Sequence, residues 1–163
     1  MHDAVLDYVT NAISDHGLGG DVLDLGGRDV NGTTRDLFPD ATSYVTVDIA
    51  EHPSVDVVCD AADLDLPDRF DVVVSTECLE HAERAPDIVA AAFRHLRPGG
   101  VFVATMAGPG RHEHGASGES FPPAGEWYRN VAPDELERWL KDAGFEAWEI
   151  DVDRLDVRCI AWR

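Results

Sequence analysis

Apolar residues recur along this chain with two periods, and the two alternate. Val5, Leu6, Val9 and Ile13 repeat at helical spacing over residues 2–16, and Gly17 ends that run. Asp21-Val22-Leu23-Asp24-Leu25 is a short buried-strand pattern, closed by Gly26-Gly27. Thr33 or Thr34 then offers a cap for a short helix that stops before Pro39. Further strands are predicted over 44–49, 55–59 and 70–75, where valine and isoleucine dominate. Residues 86–97 return to helical spacing, with Ile88, Val89, Ala92, Phe93 and Leu96 on one side. Arg97-Pro98-Gly99-Gly100 is a turn, and 101–105 a fifth central strand. Glycine, proline, serine and histidine then fill a long loop over 108–125. Pro133 opens a last amphipathic helix and Gly144 closes it, before two strands near 145–151 and 156–162.

Strands that alternate with helices argue for an α/β domain, a parallel sheet with helices on both faces. The final two strands are too close together for a helical crossover, so they are expected to pair as an antiparallel hairpin. There is no internal repeat and no linker, and the length suits one domain over 1–163.

Charge narrows the class of partner. The chain carries 32 acidic and 13 basic residues, a formal net charge of -19, and Lys141 is its only lysine. Such a field repels phosphate backbones and anionic membranes, and no basic cluster offsets it, so nucleic acid is not an expected partner. No apolar run is long enough to cross a bilayer. The start, Met1-His2-Asp3-Ala4-Val5, has no signal-peptide pattern, so a cytoplasmic location is expected. Cys59, Cys78 and Cys159 are widely spaced and lie in or beside apolar runs, as buried free thiols do.

In an open doubly wound sheet, ligands bind beyond the carboxyl ends of the strands, where the strand order reverses. Four features fall at that edge. Gly26 and Gly27 follow the first strand, where a missing Cβ lets backbone approach a ligand, or merely permits a tight turn. Asp48 ends the second strand, about 20 residues beyond the glycines, the place of a carboxylate that accepts ribose hydroxyls. Its competitor is an ordinary exposed acid. Asp60 and Ala61 follow the third strand, as an adenine contact or as a helix cap. Ser75-Thr76-Glu77-Cys78-Leu79-Glu80-His81 turns polar where the fourth strand stops. Each feature has a bland reading alone; the four in register do not.

On these residues, together with Phe70-Asp71-Val72-Val73-Val74 and Leu96-Arg97-Pro98-Gly99-Gly100, the chain resembles the class I S-adenosylmethionine-dependent methyltransferases. The small-molecule branch is the most similar. The resemblance implies a Rossmann-like, doubly wound, mainly parallel seven-stranded sheet with an antiparallel C-terminal strand. It implies S-adenosyl-L-methionine as cofactor and a small-molecule methyl acceptor as partner. Gly26 and Gly27 would face the methionine moiety, Asp48 the ribose, Asp60 and Ala61 the adenine, and Ser75, or the backbone beside it, the amino-acid portion. Asp24, Arg28, Ile49, Thr76 and Glu77 complete the expected cofactor set, with Arg28 a fork-shaped donor for the cofactor carboxylate. The family's alternating glycines are replaced here by Gly26-Gly27-Arg28-Asp29-Val30-Asn31, with glycine returning at Gly32.

His81 is the candidate general base for a hydroxyl acceptor, against the reading that it only shapes the pocket. Arg111-His112-Glu113-His114 invites a metal, but an extended chain would aim the two histidines oppositely, so no metal is expected. His112, His114, Trp127 and Tyr128, with Phe121, are the expected acceptor side of a 108–130 loop. The segment before residue 20 is expected to supply the opposite wall. Two other functions compete: a nicotinamide oxidoreductase, which the absence of GxGxxG disfavours, and a non-catalytic binding module. DNA amino-methylation is disfavoured by Ser75-Thr76-Glu77-Cys78 after the fourth strand, where that subgroup has a proline-rich aromatic motif.

Overall fold

A computed structural model describes residues 3–163. Its elements in chain order are α1 (Asp3–His16), β1 (Asp21–Leu25), β2 (Ser43–Asp48), β3 (Val57–Val58), β4 (Phe70–Thr76), α2 (Ala85–His95), β5 (Leu96–Ala107), α3 (Pro133–Ala143), β6 (Ala147–Asp153) and β7 (Asp156–Trp162). The predicted first helix begins at His2, which lies outside the described residues.

The strands form one sheet in the order β3-β2-β1-β4-β5-β7-β6. β1 to β5 run parallel to one another, and β7 runs antiparallel to both β5 and β6. The chain steps outward from β1 to β3, then returns to lay β4 against the other side of β1. That reversal leaves a crevice beyond the ends of β1 and β4.

Alternation along each strand sorts side chains to two cores. Val22, Val72, Val74, Val101 and Val103 pack with Val9 and Ala12 of α1. Leu23, Leu25, Val73, Phe102 and Ala104 pack on the opposite face with Ile88 and Val89 of α2 and Leu136 and Leu140 of α3. Helices thus cover both faces, as the pattern predicted. Arg97 ties the entry ends of two strands, reaching Asp21 at 2.7 Å and Asp71 at 2.6 Å.

Several crossovers are shorter than predicted. The helix expected after β1 is only a 3-10 turn, Arg35–Leu37. Thr34 turns its hydroxyl inward to Asp24 (3.0 Å) instead of capping, and Pro39 follows at once. The third strand, expected over 55–59, is reduced to Val57–Val58 because the Val55 N–H closes a turn onto the His52 carbonyl. The turn at 97–100 is absorbed into β5, whose ladder to β4 shifts register between Phe70 and Val72. No helix of the described residues is long and apolar enough to cross a membrane. The three cysteines are free, and Cys159 is buried.

Candidate functional site

The crevice at the strand reversal opens into a cavity of about 700 Å³. Its floor comes from the ends of β1, β2 and β4 and the start of the turn after β3; its far wall comes from Arg111, residues 114–118 and Glu126 of the loop after β5.

Gly26 and Gly27 hang on the β2 backbone, both donating to the Val47 carbonyl, at 2.8 and 3.2 Å. Gly26 has φ +77, and a Cβ there would lie 2.7 Å from the Cys78 Cβ. A Cβ on Gly27 would collide with the Asp24 carboxylate. The glycines therefore let the β1 and β4 loops close on each other, and they leave backbone facing the cavity.

Asp24 is wholly buried and accepts hydrogen bonds from Thr34 Oγ1 (3.0 Å) and Tyr44 Oη (2.8 Å), while its Oδ1 has no partner. Burial pushes its carboxyl up to about 6, against the pull of both hydroxyls. Asp48 is fixed by its own chain. Its Oδ1 accepts from the Ala50 N–H at 2.9 Å and its Oδ2 from the Arg28 N–H at 3.3 Å. A carboxylate has about four lone-pair sites, so capacity remains toward the cavity. Ile49 beside it is 74% exposed yet lines the cavity, an apolar surface without a protein partner. Arg28 stretches across the mouth to Ser117 Oγ at 3.1 Å, with its Nε 3.8 Å from Asp48.

Asp60 does cap a turn: its Oδ1 accepts from the Ala62 N–H at 2.9 Å, and Arg84 approaches its Oδ2 at 3.4 Å. Asp60 and Ala61 also line the cavity, so both readings of that pair are met at one place. Ser75 is different. It is fully buried, donates to the Leu25 carbonyl at 2.9 Å and is not part of the cavity wall, because β4 points it into the core between strands. Thr76 and Glu77 do reach the wall. Glu77 holds φ +52, a left-handed backbone that is costly for a side-chain-bearing residue and collects at functional sites.

Beyond the strand ends lies a second cluster. The rings of His81, His114 and Tyr128 meet edge to face, with centroids 5.0–5.2 Å apart. Burial, with His114 nearby, lowers the His81 imidazole to about 4, so it is neutral at ordinary pH. Glu126 Oε1 stands 3.5 Å from its Nδ1. Of the four residues expected on the acceptor side, His114 and Tyr128 join this cluster, whereas His112 and Trp127 are exposed, as is Phe121. His112 contributes its carbonyl, which accepts from Tyr128 Oη at 3.3 Å and lies 3.1 Å from His114 Nδ1. Residues 3–19 supply no cavity wall; α1 instead bounds a separate cleft of about 290 Å³ against β6 and β7.

Three participants were given no role from sequence. Arg111 bridges Glu77 (2.8 Å) and the buried Asp156 of β7. Glu126 faces His81. Glu80 is fully buried, its Oε1 accepting from the Ala107 N–H at 3.0 Å and its Oε2 without a partner. Glu80, His81 and His114 each place one oxygen or nitrogen within 4.8 Å of the others. No fourth side chain joins that group among the described residues, so it has the ligand count of an open three-ligand site and not that of a closed four-ligand structural centre. Adjacent Glu80 and His81 were readable in the motif; the Arg111–Asp156 pairing, 45 residues apart, had no sequence signal.

Comparison with known proteins agrees with this arrangement. A family described as "Methyltransferase domain" matches residues 1–150. The ubiquinone biosynthesis O-methyltransferase of Pseudomonas putida is 29% identical over 102 residues, covering 58% of this chain and 44% of that one. The enzyme of the same name from Dechloromonas aromatica is 32% identical over 93 residues, covering 52% and 40%. The matches thus span less than half the length of these relatives. Among solved structures, the 1,6-didemethyltoxoflavin-N1-methyltransferase of Burkholderia thailandensis, with bound S-adenosylhomocysteine, superposes with TM-score 0.72 at 19% identity, covering 99% of this chain and 79% of that one. The magnesium protoporphyrin IX methyltransferase of Synechocystis PCC 6803 superposes with TM-score 0.70 at 16% identity, covering 98% and 82%. Those two likenesses establish the fold, and the family match over residues 1–150 establishes that this chain belongs to the methyltransferase domain family.

Proposed function

We propose that this domain binds S-adenosylmethionine in the cavity beyond β1, β2 and β4 and catalyses transfer of its methyl group to a small-molecule acceptor. The observation that carries this reading is the convergence of Gly26-Gly27, Asp48, Asp60-Ala61 and Thr76-Glu77 on one cavity wall, from four successive strand ends.

The spare lone pairs of Asp48 suit two ribose hydroxyls, and exposed Ile49 suits the face of an adenine ring. Asp60 and the Ala61 backbone suit the adenine edge. Arg28 suits the cofactor carboxylate, exchanging its Ser117 contact for a bidentate one. Ser75 acts from beneath, holding the β1 and β4 ends together. The bound donor supplies a methyl group on a positively charged sulfur, so the chain's task is to position an acceptor in line with it and exclude water. The neutral His81 ring, with Glu126 at its Nδ1, is placed to take a proton from a protic acceptor. His114 and Tyr128 bound the acceptor's approach.

The test is formation of S-adenosylhomocysteine from S-adenosylmethionine with a panel of small phenols, carboxylic acids and amines. Turnover with at least one of these, lost in His81→Ala with the donor affinity retained, supports the reading. Donor binding without turnover on any of them would make the domain a binding module.

A further inference from the structure

The charges on the cavity wall discriminate among acceptors. Among the described residues that wall carries three arginines, Arg28, Arg84 and Arg111, and no lysine. Arg84 is engaged by Asp63 at 2.8 Å, Asp87 at 3.1 Å and Asp60 at 3.4 Å. Arg111 is held between Glu77, at 2.8 Å, and the buried Asp156. Arg28, with its Nε 3.8 Å from Asp48, is the group on which the donor's carboxylate would draw. No guanidinium of the wall is then left to receive an acceptor's carboxylate or phosphate. A carboxylate, by contrast, is left over. Glu126 lines the cavity from the loop after β5, with its side chain 26% exposed. Its Oε1 accepts from the Ala116 N–H at 2.6 Å and stands 3.5 Å from His81 Nδ1. Those contacts fix the side chain, and its Oε2 accepts no hydrogen bond from the described residues. No arginine or lysine among them offsets its charge.

Resting on the function proposed above, we infer that the acceptor is a small molecule bearing an ammonium group and a separate protic nucleophile, and that Glu126 selects it by binding the ammonium. An ammonium is a compact set of three donors, and a carboxylate oxygen already aimed at the cavity is its natural partner. An ammonium nitrogen has no lone pair, so the atom that Glu126 holds is not the atom that is methylated. The nucleophile is a second group on the same molecule, close enough to reach His81, whose Nδ1 lies beside the same carboxylate. Glu126 also answers an electrostatic difficulty. The donor is itself a cation, and two cations in one partly dry cavity repel unless a carboxylate lies between them and the wall. An anionic acceptor meets the opposite situation. It would face Glu126 and Glu77 with every guanidinium of the wall engaged, and like charges brought together in this way select against the wrong partner. Specificity thus comes from one attractive contact and from the absence of any for anions.

The experiment uses protein saturated with S-adenosylhomocysteine and three probes of one shape: tyramine, para-ethylphenol and para-hydroxyphenylpropionate. All three carry the same phenol, and at about pH 7 their tails are cationic, neutral and anionic. Calorimetry on wild type should show tyramine binding about tenfold tighter than para-ethylphenol, the scale of a hydrogen bond to a charged group. The propionate should bind more weakly than both. In Glu126→Gln the advantage of tyramine over para-ethylphenol should disappear. Glutamine keeps an oxygen for the Ala116 N–H, and a thermal midpoint with an S-adenosylhomocysteine titration shows that the variant is folded and its cavity intact. Tyramine that binds no tighter than para-ethylphenol, or does not bind at millimolar concentration, overturns the inference and leaves the function standing. So does a propionate that binds best, or a tyramine advantage that survives in Glu126→Gln. If that variant does not fold, the order of the three probes on wild type decides alone. If S-adenosylhomocysteine itself does not bind wild type, the proposed function falls and the inference falls with it.

Discussion

Asp48 is a short side chain held in place by its own backbone. Two backbone N–H donors fix its orientation, and in the proposed function that preorganisation lowers the cost of binding. Asp48→Ala should weaken S-adenosylmethionine binding by about 1–3 kcal/mol, the cost of leaving polar partners unsatisfied; an unchanged dissociation constant by calorimetry would make Asp48 a structural acid. Gly26 is constrained by its backbone and its neighbour together. Gly26→Ala should cost about 1–3 kcal/mol of stability from the clash with Cys78 and the positive φ. Adding Cys78→Ala should remove the Sγ part of the clash and leave the Cβ contact and the backbone strain, so urea unfolding should show only part of the loss recovered. His81 gives a pH signature in stability. Its folded value lies below its ordinary one, so the unfolded chain takes up its proton first. The stability it contributes is complete above about pH 6.5 and is lost as pH falls toward 4. Loss of that acid-side slope in His81→Gln checks it. Asp48 and the glycines were readable from spacing, because a strand end fixes which residue faces the crevice. The direction of the Ser75 side chain was not readable in that way, since only the pleat decides whether a strand-end side chain points to the crevice or into the core.

The long regular elements followed their periodicity. α1, α3, β1, β4 and β7 lie where apolar spacing, Gly17, Pro133 and Gly144 put them, because each buries a contiguous face. The short crossovers did not. A cap such as Thr34 can serve its own helix or a buried carboxylate, and Asp24, ten residues earlier, won it. The loop after β5 shows the same limit at larger scale. Its histidines and aromatics were visible as a group, but the two that turn inward were selected by tertiary anchors: Glu80 at its feet and Arg111 between Glu77 and Asp156. Arg111→Met should therefore destabilise the domain by roughly 3 kcal/mol, the lower end for a buried pair because the arginine side chain is 22% exposed. It should also loosen this loop specifically. Hydrogen exchange that increases across 108–130, and not across β1 or β4, is the expected pattern; uniform change would show that the bridge does not anchor the loop.

Across the whole molecule the dominant property is a formal charge of -19 on 163 residues. Self-repulsion of that size destabilises the compact state, and salt screens it, the Debye length falling from about 10 Å at 0.1 M to about 3 Å at 1 M. The thermal midpoint should rise as sodium chloride is increased over that range; a flat or falling midpoint would show that local ion pairs, such as Arg84 with Asp63 and Asp87, outweigh the global field. The same charge sits easily with a cationic ligand and poorly with phosphate backbones, as the composition indicated before any fold was known. What composition could not supply is the crevice itself, which exists because the strand order reverses between β1 and β4. The direct test of the account is calorimetric titration of the wild-type protein with S-adenosylhomocysteine. One site per chain, with a dissociation constant weakened in Asp48→Ala, is the predicted result; no heat and no thermal shift at about millimolar ligand, where even weak sites of about -4 kcal/mol are half filled, would contradict it.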